Sequence, residues 1–122
     1  MSRTRSYLGD SELTESFALP PLQPSASLHP IRTWEAMYRE TQVTGVEFDA
    51  FWLESVSEGV ACFFSWTGGP RATVLVVLDD GRIMHLECRG EGDRRLSAEA
   101  AAPIALEAWR VLGGTASYAR AH

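Results

Sequence analysis

Lysine is missing from this chain: all eleven basic residues are arginine. A GC-rich genome produces that bias, and so does selection against lysine modification; the residues do not separate the two. Cysteine is scarce. Cys62 and Cys88 are the only two, too few for the disulfide framework of a small secreted domain. No apolar run approaches the roughly 18–20 residues of a membrane-spanning helix, so no membrane partner is expected. The opening stretch, MSRTRSYLGDSELTES, is polar and lacks the apolar core of a secretory signal. A cytoplasmic location with two free thiols is the expectation that follows. Motifs are absent too. No GxSxG, HExxH, P-loop or GxGxxG pattern occurs, which removes the usual sequence warrants for several hydrolase and nucleotide sites.

What is present suits one domain. Of the 122 residues, 45% are apolar and 22% charged, as in ordinary globular proteins. Four Trp and five Phe supply core area, since each aromatic buries about 150–250 Å². Net charge is −5 and uneven: in 31–58 two Arg face six Asp or Glu, while 59–122 is balanced at seven against seven. That acidity argues for a protein partner with basic character and against nucleic acid.

Along the chain, residues 1–29 read as a flexible arm rich in Pro and Ser. Pro20, Pro21 and Pro24 disfavour regular structure. An arm of that kind is expected to be dispensable for folding. Leu13 and Phe17 stand four apart, as on one helical face, and are candidate partner contacts. A helix is predicted from Pro30, carrying Ile31, Trp34, Met37 and Tyr38 at helical spacing, with Gly45 as its stop. A second follows over about 47–57. Three strands come next, at 60–66, 72–78 and 82–89, with Asp80-Gly81 as a two-residue turn between the last two. In simple register that turn sets Leu75 opposite Leu86. One face then carries Thr73, Leu75, Val77, Met84, Leu86 and Cys88, the other Val74, Val76, Leu78, Ile83, His85 and Glu87. The last element is a helix within 97–112, capped by Ser97. Residues 30–114 thus form one α+β domain with two N-terminal helices, a three-stranded antiparallel meander and a C-terminal helix. The helices are expected on one sheet face, and 115–122 as a frayed tail.

The α-β-β-β-α order over 47–112 resembles the topology of double-stranded-RNA-binding domains, and GPRATVLVVLDDGRIMHLECRGEG is similar to the rhythm of their second and third strands. The resemblance implies RNA binding. Where that family carries a basic run, Leu96, Ser97, Ala98 and Glu99 stand here, and the helix that would meet the minor groove is acidic. Contacts to phosphates and 2′-hydroxyls would lack their donors.

For chemistry, Cys62, His85, Glu87 and Cys88 form the one cluster to test. A zinc site needs three or four ligands converging tetrahedrally. The register sends Cys88 to the face opposite His85 and Glu87, so no metal and no cofactor is expected, and the thiols read as small hydrophobes. His85 and Glu87 share a face; as catalytic candidates they are an acid/base pair or an ordinary solvated strand face. The reading that fits best is a non-catalytic protein-interaction module: an accessory subunit, or a protein of antitoxin, immunity or chaperone kind. Its binding surface would draw on Glu47, Asp49 and Glu54, on the arm, or on the half-covered sheet face at Val74, Val76 and Ile83, where a homodimer would also form. The alternatives are a small enzyme or ligand-binding fold with a pocket between sheet and helices, walled by Trp34 and Trp52, and an RNA-binding domain.

Overall fold

The computed structural model describes residues 16–113. Five strands and three α-helices make an α+β fold. In chain order they are β1 (Leu28–Ile31), α1 (Trp34–Thr44), α2 (Ala50–Ser57), β2 (Ala61–Trp66), β3 (Ala72–Asp79), β4 (Arg82–Gly90), β5 (Arg94–Arg95) and α3 (Ala98–Val111). The sheet order is β1-β2-β3-β4-β5, antiparallel at every step.

The predicted three-stranded meander behind two helices is therefore corrected. A strand precedes the first helix, and the sheet has five strands. Pro30 lies inside β1, opposite Phe64. Proline is tolerated there because β1 is an edge strand and needs no donor on its outer side. The first helix starts later, at Trp34, where the Thr33 side chain caps it by accepting from Ala36 N–H. Gly45 ends it at φ +77, in the left-handed region. The α-β-β-β-α order shared with double-stranded-RNA-binding domains is likewise preceded by β1 and interrupted by β5.

Helices cover both faces, not one. Met37 of α1 and Trp52 and Val56 of α2 pack with Phe63 and Leu75. On the reverse, Ile104, Ala108 and Val111 of α3 pack with Phe64, Val74, Val76 and Cys88. Alternation explains the split: Phe63 and Phe64 are neighbours, so they face opposite layers, and both are fully buried. A sheet covered on both sides needs strands apolar on both sides, as ATVLVVL is.

The Asp80-Gly81 turn forms as predicted, with φ of +55 and +79. The register beyond it does not hold. A bulge at Met84 sets Val77 opposite His85, Val76 opposite Leu86 and Leu75 opposite Glu87. One extra residue reverses the facing of all that follows. Leu86 and Cys88 thereby join Ile83 beneath α3, and His85 and Glu87 move to the other face. The signal was in the sequence: Ile83 and Leu86 are three apart, an odd step that plain alternation cannot place on one side.

Of the predicted arm, residues 16–29 pack on the domain. Ser16 bridges Thr33, Phe17 N–H donates to Arg32 C=O, and Gln23 N–H donates to Val111 C=O. Phe17 is buried, its ring edge-on to Trp34 at 5.1 Å. Leu13 and residues 115–122 lie outside the described residues.

Candidate protein-docking surface

The second helix starts from Asp49, whose Oδ1 accepts from Trp52 N–H at 3.1 Å. That cap sets the helix phase. Trp52 and Val56 turn into the core, and Phe51 turns out, 57% exposed. Glu54 and Glu58 stand three and seven after Phe51, so both share its side of the helix, and Glu47 lies in the coil just before the cap. All three are exposed, as is Asp49.

The underlying floor is aromatic. Trp52 meets Phe51 at 5.2 Å, Phe63 at 6.0 Å and His85 at 6.3 Å, with the imidazole stacked at an interplanar angle of 24°. His85 is 57% exposed, and its neighbour Met84, lifted by the bulge, is exposed as well. His85 of β4 thus stacks on buried Trp52, the chain neighbour of exposed Phe51.

His85 and Glu87 share a face as predicted, yet Glu87 is occupied elsewhere. Its Oε2 accepts from Arg89 Nη2 and its Oε1 from Arg95 Nη2, each at 3.0 Å. His85 Nε2 stands 3.8 Å from Oε1, longer than a hydrogen bond. Arg89 also binds Asp93 at 3.0 Å. Glu87 thus ties β5 to β4 through Arg95, and Arg89 ties the turn before β5 through Asp93.

The remaining predicted residues do not join this surface. Val74 and Val76 are fully buried, and Ile83 packs beside them under α3, so the half-covered sheet face and the homodimer placed on it are filled by the chain's own helix. Phe17 serves the core. Cys62 and Cys88 lie under α3, across the sheet from His85. Burial pushes Cys62 up to about 12 and Cys88 to about 11, which keeps both as thiols. Among the described residues, no group of three or more metal-ligating side chains assembles. Nor is any described helix long and apolar enough to cross a membrane.

One polar centre was missed. Glu40 of α1 is 4% exposed and accepts from Ser65 Oγ and Thr73 Oγ1, each at 2.6 Å, and from Arg71 Nη2 at 3.0 Å. Its signal was the helical spacing of Met37, Glu40 and Thr44, all of which are buried. Comparison with protein-family models, with curated proteins and with solved structures found no match for this chain.

Proposed function

We propose that the chain is a protein-interaction module, an accessory subunit that docks a basic protein surface through the exposed side of α2. The observation that carries this reading is Phe51, a large exposed aromatic set among Glu47, Asp49, Glu54 and Glu58. An aromatic anchor within a charged rim is the common anatomy of a binding hot spot. The placement of the charges supports it. A helix C-terminus carries partial negative charge and favours cations. Here the last turn has no basic residue, and Glu54 and Glu58 stand there instead. A basic partner relieves that unfavourable pairing, and its counter-charges steer association. Two buried thiols fit a reducing, cytoplasmic setting.

A photo-crosslinking amino acid at position 51, with one at Leu106 as control, tests the reading in the source organism. The expected adduct is a basic protein captured at 51 alone. Its purified form should bind with an affinity that falls with salt. Phe51→Ser together with Glu54→Lys should weaken binding by at least about tenfold, or about 1.4 kcal/mol. An adduct equally strong at Leu106, or binding indifferent to salt and to the double substitution, defeats the reading.

A further inference from the structure

A hollow of about 310 Å³ lies between α1 and the β1–β2 edge, remote in residue content from the α2 surface. Its apolar walls include Pro30, Ile31, Ala36 and Val43, and its polar groups are His29, Arg39, Glu40, Ser65 and Arg71. That volume is at the lower end for a small-ligand pocket, and the lining sets an apolar wall beside convergent polar groups.

Arg71 is the centre of the argument. Its side chain is 35% exposed, while its partner Glu40 is 4% exposed. Ser65 and Thr73 each donate to that carboxylate, and Thr73 contacts Thr44 Oγ1 in turn at 3.2 Å. Three elements thus hold one carboxylate in place, and the carboxylate holds one guanidinium. A buried ion pair is seldom the most stabilising choice, because desolvation offsets its attraction. A guanidinium offers five N–H donors in a rigid fork, and Glu40 engages only Nη1 and Nη2. Arg71 also lines an adjoining hollow of about 370 Å³ on its other side. The fork is oriented from below and open to two cavities.

We propose that the hollow over Glu40 and Arg71 binds a small organic carboxylate: an anionic head on the Arg71 N–H groups that Glu40 leaves unused, and a short apolar body against Ile31, Ala36 and Val43. Arg39, exposed at the rim with Glu35 at 3.7 Å, supplies a second cation. His29, whose Nε2 is 2.9 Å from Thr67 Oγ1, closes the opposite side. The pocket uses none of the residues of α2, so this proposal and the docking reading stand or fall separately.

Sodium benzoate is the probe, with neutral benzamide as its isostere and sodium chloride holding ionic strength constant. Two-dimensional NMR on the full chain should show saturable shifts from benzoate at His29, Ile31, Val43 and Ser65, and none from benzamide. Arg71→Lys keeps the charge but loses the fork, and should weaken binding about tenfold. Ala36→Phe, one turn before Glu40 on the same side of α1, fills the hollow and should abolish the shifts. Should the Lys variant fail to fold, Ala36→Phe decides alone. Shifts that do not saturate, that benzamide reproduces, or that survive Ala36→Phe overturn the proposal.

Discussion

Glu40 shows how one residue can join three elements. Its carboxylate receives two hydroxyls and a guanidinium from β2, β3 and the loop between them. Glu40→Ala deprives buried Thr73 and half-buried Ser65 and Arg71 of their shared acceptor and should cost about 1–3 kcal/mol in urea unfolding. A loss below about 1 kcal/mol would show that water replaces the carboxylate freely. Glu107 presents the surface counterpart. Arg110, and then the Ser25 hydroxyl, hold its carboxyl down to about 2 from an ordinary 4.5. The folded state therefore releases this proton more readily than the unfolded chain does. The stability from this contact is fully present above pH 4.5 and is lost as pH falls towards 2. Acid titrations of stability for Ser25→Ala and Glu107→Gln should lose that segment of the curve. An unchanged acid limb in Glu107→Gln would refute the linkage. Glu40 did not stand out in the sequence as chemistry because its partners lie 25 to 33 positions away; Glu107 has Arg110 three residues on, but Ser25 is 82 positions away.

At the scale of elements, α2 carries a local conflict. Its cap and apolar face agree with helix formation, while the carboxylates at its C-terminal end oppose the helix dipole. Natural proteins break such rules mostly where function demands it. Replacing Glu54 and Glu58 by Lys should therefore stabilise the isolated chain, by about 0.3–1 kcal/mol each at low salt, with the gain fading as salt rises. Thermal unfolding of the double variant measures it. A double variant less stable than the parent would show that these carboxylates hold contacts in the fold, and the case for a docking face would weaken with it. The helix itself was legible in the sequence from the spacing of Phe48, Trp52 and Val56 and from Gly59, although its start at Asp49 was not. The bulge in β4 is marked in the sequence only by the odd spacing of Ile83 and Leu86, which a strand apolar on both faces also permits. Its consequence is large, since it decides that His85 meets Trp52.

For the whole molecule, the segment before Pro30 changes role. Its Pro and Ser content predicts a dispensable arm, yet residues 16–29 contribute to both hydrophobic layers. Phe17 packs with Phe63 in one layer, Leu28 with Phe64 in the other, and Leu19 touches both. Deleting 1–28 removes a buried Phe and a buried Leu together, each worth about 2–5 kcal/mol. That sum approaches the entire stability of a small domain, about 5–15 kcal/mol. The truncated chain should lose cooperative unfolding or show a sharply lower midpoint, whereas deletion of 1–15 keeps every one of these contacts and should retain the parent's denaturant slope. A 1–28 deletion that unfolds like the parent would place Phe17 and Leu28 outside the cooperative core.

Local chemistry was readable from the residues alone. Asp80-Gly81 made its turn because positive φ suits those two residues. Ser97 capped its helix because a short oxygen-bearing side chain reaches a free N–H group one turn on. The α+β character, the four internal elements from α2 to β4 and the last helix followed from periodicity. What only the tertiary structure decided was non-local. Leu28–Ile31 is a strand because β2 offers it an edge to pair with. The helices divide between two faces because strands apolar on both sides must be covered on both. Glu40 is buried because its donors arrive from β2, β3 and the loop joining them. Each of these depends on which distant residues meet, and pairings between distant segments leave no period in the sequence to read.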